Sequence, residues 1–235
     1  MTSHAEVAAL SEDQMYERIV SAILDHRLPP GTKLVEDRLA STFGVSRTRV
    51  RPVLVRLANE QVVTLTPNRG ATVSQPTEQE AREVFEARRL IEPRLVELFV
   101  QNASAAAVAR LRALTDSEEA ARAAGDHRRT VGLSGQFHLA IAEGAGHQTL
   151  GRVLRELVSR TSLVVMAYSP TQAAERDQAA DCGCREHHAL IDAIRLGDAK
   201  EAMRRMVDHL QRIEDQLVFA VVEEPPADLG ELLRA

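Results

Sequence analysis

Tryptophan is absent from this chain of 235 residues, and all aromatic residues together make up only 3% of it. A core must therefore be built from Leu, Val, Ile and Ala, and an apolar fraction of 44% is enough to build one. Only two cysteines occur, Cys182 and Cys184, one residue apart. So placed they cannot staple a fold, and a reducing, cytoplasmic setting is expected. No run of 18 uncharged apolar residues exists, so neither a membrane span nor a membrane partner is expected. Residues 1–10 have no basic start and no apolar stretch, which argues against a signal peptide. Strand-like patterning is missing beyond residue 77, and the Ala, Leu, Arg and Glu content there favours helix.

A net charge of -5 discourages a nucleic-acid partner until its distribution is read. Residues 1–76 carry nine basic and eight acidic residues, and residues 77–235 carry twenty and twenty-six. Between 38 and 70, six arginines face one acid, Glu60. Positive charge so concentrated suits a DNA-reading surface.

The apolar spacing predicts helices over 11–26 and 35–43, with Gly44 as the left-handed residue that ends the second. Ser46 is a candidate N-cap for a third helix carrying Arg47, Thr48, Arg49 and Arg51. Short strands at 62–65 and 71–73, joined by a turn at 67–70, form a hairpin after the three helices. Thr77 and Glu80 make a capping box, so a new unit begins at 77. Six helices are expected beyond it, near 78–101, 105–123, 127–143, 148–167, 178–196 and 199–222. The expected fold is mainly α: a winged helix-turn-helix over 1–76, an all-α antiparallel bundle over 77–223, and a C-terminal tail over 224–235.

Arg47 and Arg51 are four apart and share a helix face, from which guanidinium groups can bond guanine edges in a major groove. The hydroxyls of Ser46 and Thr48 suit phosphate oxygens, and Arg69 and Gly70 at the hairpin tip can approach the minor groove. A helix rich in arginine can also be merely a solvated face. The ordered set of short helix, glycine turn, Arg-rich helix and hairpin favours the DNA reading.

The run Leu28-Pro-Pro-Gly-Thr-Lys-Leu-Val-Glu, then Leu39-Ala, Gly44-Val-Ser-Arg-Thr-Arg-Val-Arg, Leu57 and Gly70 resembles the winged-helix domain of GntR regulators over about residues 12–74. The resemblance implies DNA binding by Arg47, Thr48, Arg51 and Gly70, and by position by Ser46, Arg49 and Arg69. Two positions depart from the family pattern. Arg49 stands where Pro is usual, and Pro52 stands where Glu is usual. A proline inside the third helix is expected to cost about 3 kcal/mol and to kink it.

Three of the eight histidines fall on or beside the inward stripes of different helices: His138, His187 and His209. Taken singly, each reads as readily as a satisfied core histidine. Together they could bind a divalent ion inside a bundle. Residues 77–222 resemble the FCD effector domain of the FadR branch, and six helices suggest the VanR-type subgroup. The matching segments are Glu83 to Pro93, Gln136 to Leu139, Glu186 to Ile194, Gly197-Asp198 and His209-Leu210. The resemblance implies a divalent metal, zinc before others, on His138, His187 and His209, with a carboxylate effector beside it. Ser134 stands where the family has an aspartate ligand, which implies weaker binding, with three outcomes open: a water bridges Ser134 to the metal, the site holds metal only together with its effector, or it has lost metal altogether. Arg88 is the implied partner of the effector's carboxylate; a salt bridge to Glu92 or Glu86 is the plainer reading. Cys182 and Cys184 suit a mobile loop better than a thiolate site.

These features imply a ligand-responsive regulator, not an enzyme. It would be a homodimer on double-stranded operator DNA, a repressor released by a small organic acid. Two alternatives use the same histidines: a sensor with the ion as effector, and a hydrolase that activates water on the metal.

Overall fold

The computed structural model describes residues 10–66, 70–169 and 173–219, with the side chains of 173–182 not described. Helix α1 (Glu12–Leu24) starts at a full capping box between Ser11 and Gln14. A two-residue strand β1 (Lys33–Leu34) follows, then α2 (Glu36–Phe43), α3 (Arg47–Asn59), β2 (Val63–Thr66) and β3 (Gly70–Val73). The sheet is antiparallel in the order β1-β3-β2, with Leu34 opposite Ala71 and Thr64 opposite Thr72. Strand β1 is an addition to the expected hairpin. Two residues are too few for a period-two pattern to show in the sequence, and their pairing comes wholly from β3. Gly44 ends α2 with φ 66°, as expected, and Gly70 enters β3 at φ 85°. The core of this unit is Tyr16, Ile19, Ile23, Val50, Leu54, Leu57, Val62 and Val73, joined by Leu163 from further along the chain.

Pro52 does not interrupt α3, which runs as one helix from Arg47 to Asn59. Pro52 lacks an N–H, so the carbonyl left without a helical donor is that of Thr48. Thr48 is exposed in the first turn, where water can serve that carbonyl. The proline is therefore accommodated without interrupting the helix.

Six helices follow among the described residues: α4 (Glu78–Asn102), α5 (Ala105–Ala123), α6 (His127–Ala145), α7 (Gln148–Tyr168), α8 (Ala173–Arg195) and α9 (Ala199–Asp215). Thr77 and Glu80 form the expected box at the start of α4. Helix α8 begins five residues earlier than the expected 178, so Cys182 and Cys184 lie in a helix and not in a loop. Cys184 is buried. Helix α9 stops at Asp215, short of the expected 222. There the chain turns so that Val218 N–H donates to the Tyr168 carbonyl at 2.9 Å. Leu217 and Phe219 then pack against Ala81, Phe85 and Val164. This packing outweighs the local preference for more helix. The expected tail over 224–235 lies outside the described residues, as does Arg69.

The main core of these helices is aliphatic apart from Phe99 and Phe137, as the scarcity of aromatics requires. The two units touch at the C-terminal end of α1. Ser162 Oγ of α7 donates to the Ile23 carbonyl at 3.1 Å, and Tyr168 Oη donates to the Pro76 carbonyl at 2.7 Å. Gly132 of α6 lets that helix come close: a Cβ there would sit 3.4 Å from the Leu24 carbonyl oxygen and 3.5 Å from Asp25 Oδ1.

A second close approach yields a stability test. A Cβ at Gly144 would lie 2.3 Å from Cε2 of the fully buried Phe99. Gly144→Ala is expected to destabilise by about 1–3 kcal/mol in urea unfolding, although Ala is the better helix former. Gly183→Ala, whose Cβ meets nothing within 4 Å, is expected to be neutral or stabilising.

Candidate functional site

The expected histidines come together. His138 on α6, His187 on α8 and His209 on α9 are 2%, 0% and 2% exposed, and their potential ligand atoms all lie within 4.8 Å of one another. Phe137 precedes His138 and stacks its ring on His187, with centroids 4.0 Å apart.

A carboxylate holds each ring from behind. Glu92 Oε2 lies 2.5 Å from His138 Nδ1, Glu118 Oε2 lies 2.8 Å from His187 Nδ1, and Glu186 Oε2 lies 2.8 Å from His209 Nδ1. A carboxylate there accepts a hydrogen bond from Nδ1–H, which leaves Nε2 as a bare lone pair on each neutral ring. Those Nε2 atoms face each other, 3.2 Å apart for His187 and His209 and 3.3 Å apart for His209 and His138. Three lone pairs at such distances repel unless a cation lies among them. Two ligands at Zn–N lengths of 2.0–2.1 Å and a tetrahedral angle are separated by roughly 3.3–3.4 Å. The donor set and its spacing therefore fit a tetrahedral divalent ion.

Burial disfavours the charged form of two of these rings. Burial lowers the pKa of His138, against an upward pull from Glu92. Burial, then His187 and His138, hold His209 well below the ordinary imidazole range. Burial pushes Glu92 up, yet Arg88 and then His138 outweigh it and hold that carboxyl at about 2. Burial raises Glu186, and Arg212 partly offsets this with a short ion pair.

Arg88 links this cluster to a cavity of about 400 Å³ that it lines together with His138, His209, Ser134, Thr130, Thr161 and Glu118. Arg88 is 2% exposed, so it is not a surface arginine. Its Nε donates to Glu92 Oε1 at 2.5 Å and its Nη1 to Thr161 Oγ1 at 3.3 Å. Its Nη2 is buried without a hydrogen-bond partner. Arg88 thus pairs with Glu92, as one reading expected, and also lines the cavity. Ser134 lies one turn before His138 and also lines the cavity. Sequence reasoning missed the support given by Glu92, Glu118 and Glu186. Glu186 adjoins His187 in the chain but serves His209, and no spacing rule points to Glu118.

In the N-terminal unit, Arg47 and Arg51 share an exposed face of α3. Arg47 pairs with Asp37 at 2.9 Å and Arg51 with Glu36 at 3.0 Å, both acids of α2. Thr48 is exposed, and Ser46 stands at the N-cap without making a side-chain cap bond. Arg49 points elsewhere: its Nη2 donates to the Leu10 carbonyl at 2.7 Å.

Comparison with known proteins agrees with both units. Residues 83–212 match the FCD domain, and residues 11–73 match the bacterial regulatory proteins of the gntR family. The HTH-type transcriptional regulator McbR of Escherichia coli is 25% identical over 189 residues, 79% of this chain and 82% of its own. The probable D-xylose utilization operon transcriptional repressor of Paenarthrobacter nicotinovorans is 25% identical over 198 residues, 84% of each chain. Among solved structures, Escherichia coli McbR/YncC superposes with a TM-score of 0.76 over 87% of this chain and 97% of its own, at 23% identity.

The buried pair can be tested directly. Arg88→Met strands a buried Glu92 and is expected to cost about 3–5 kcal/mol of stability by chemical denaturation. Arg94→Met, which removes the exposed pair with Glu97, is expected to cost about 0–1 kcal/mol in the same assay.

Proposed function

This chain belongs to the GntR family of bacterial regulatory proteins and carries an FCD domain; from that membership we propose that it is a cytoplasmic, homodimeric repressor released from its operator by a small carboxylic acid. The family and the relatives are transcription regulators, not enzymes. The observation that carries the proposal is the convergence of three buried imidazoles beside a cavity that two of them, His138 and His209, line together with a buried Arg88. A carboxylate entering there finds a guanidinium with an unused donor.

Residues 1–76 form the DNA-reading domain and residues 77–223 the effector domain. Arg47 and Arg51 meet base edges, Ser46 and Thr48 meet phosphate oxygens, and Gly70 at the hairpin tip approaches the minor groove. Exposed ion pairs contribute about 0–1 kcal/mol, so the pairs of Arg47 and Arg51 with α2 yield cheaply to a phosphate or a base. Arg49 belongs to the set only by exchanging the Leu10 carbonyl for DNA. Two recognition helices of a dimer read half-sites about one helical turn, ~34 Å, apart.

His138, His187 and His209 are the residues that would hold a divalent ion, zinc before others. Bound there, the ion supplies a fixed positive charge that anchors a carboxylate. The three glutamates orient the ligand nitrogens and balance part of that charge. Their presence compensates for the missing aspartate, and Ser134 can reach the ion's remaining position through water. The acid shifts the DNA domains only by binding one arrangement better than the other.

Three measurements test this. Elemental analysis of the purified protein is expected to find about one divalent ion per chain. Glu118→Gln is expected to weaken metal affinity by roughly 10–100-fold in a chelator competition. In operator titrations, Arg51→Ala is expected to cost about 1–3 kcal/mol, confined to one base position. A purified protein that prefers no duplex at moderate salt, with its N-terminal unit folded, sinks the proposal. Operator release by metal alone, with no acid, makes the ion the effector instead.

A further inference from the structure

The cavity is not enclosed by the effector helices alone. Leu24 at the end of α1, with His26 and Pro29 just beyond it in the N-terminal unit, completes its wall. His26 is held in an unusual conformation, at φ 54°, a region non-glycine residues seldom occupy. Its Nε2 is buried and has no hydrogen-bond partner. Burial, with Arg128 nearby, pulls its imidazole down to about 4, so the ring is neutral and can donate one N–H. A left-handed backbone and an unsatisfied buried nitrogen are both costly, and they persist where the surroundings impose them or a function uses them.

Two buried nitrogens without partners thus belong to the same cavity wall: Arg88 Nη2 from the effector helices and His26 Nε2 from the DNA-reading unit. Between them the wall has apolar stretches, with Val131, Val158, Val165, Met166 and Ile213, and Arg128 and Glu118 also line it. Such a wall suits a ligand with an apolar stem and polar groups at its ends.

We propose that the effector is a bifunctional acid whose carboxylate meets Arg88 and whose second hydrogen-bond acceptor is held by His26, so that one small molecule joins the two units. The inference rests on the carboxylate reading of the cavity and names the ligand class. It also supplies a route for the signal. Helix α1 packs on α3, and its C-terminal end is tied to α7 through Ser162 and pressed against Gly132 of α6. A ligand bonded to His26 therefore acts on the segment that leaves α1, with no intermediary.

Calorimetric titration of the full-length protein with matched acids tests this: glutarate against pentanoate, and adipate against hexanoate. In at least one pair the diacid is expected to bind about tenfold or more tightly than its monoacid, the worth of one hydrogen bond to a charged group. His26→Phe is expected to collapse that ratio to near one while leaving the monoacid affinity within about twofold. His26→Gln, which keeps a side-chain donor, is expected to retain part of the preference. Arg88→Met is expected to lose both acids. A diacid preference that persists undiminished in His26→Phe overturns the assignment of His26. Equal binding of both acids by the unaltered protein overturns the bifunctional ligand alone. Failure of every acid to bind overturns the carboxylate reading and this inference with it.

Discussion

The second unit is organised by three buried imidazoles whose protons are directed outward. Each Nδ1 faces a carboxylate, and each Nε2 faces the other two rings. Without the carboxylates the tautomers would be free, and the three lone pairs would not be committed to a common point. With them, the interior holds a preformed ligand set that a cation completes. Helices α4, α5, α6, α8 and α9 all contribute a histidine or its glutamate, so the cluster also ties the bundle together.

The same constraint places Arg88. Glu92 serves His138 with one oxygen and Arg88 with the other. A buried guanidinium needs such a partner, because its desolvation is otherwise too costly. Glu92 cannot satisfy all of its N–H groups, and Nη2 is left over in the wall of the cavity. The unsatisfied donor beside the histidine cluster is thus a consequence of how the ring of His138 is held. One carboxylate supports both the ring and the guanidinium.

The cavity and the DNA-reading unit meet at the end of α1. Leu24, His26 and Pro29 form part of the cavity wall, while Ile19 and Ile23 of the same helix pack in the core that supports α3. The arginines of α3 meanwhile rest on acids of α2, in exposed pairs that cost little to break. Recognition helix, α1 and cavity are contiguous, so a ligand needs no long chain of side chains to bias the reading head.

Much of this was legible in the residues. Capping boxes, Gly44 and helical apolar spacing predicted the helices of both units to within a few residues, because those signals act within one turn. The imidazoles were legible too, since each lies on or beside an apolar stripe. Three features were not. Strand β1 has two residues and exists only through pairing with β3. Helix α9 ends early because Leu217 and Phe219 find partners on α4 and α7. Glu118 and His26 gain their roles from neighbours 69 residues away and from another unit respectively. The sequence by itself determined which segments are helical, where the basic charge gathers and which histidines turn inward, since period and charge are local properties. Only the tertiary structure decided which carboxylate holds which ring, that Arg88 keeps an unused donor, and that the DNA-reading unit closes the cavity. Those outcomes depend on distances between helices, and no spacing along one helix encodes them.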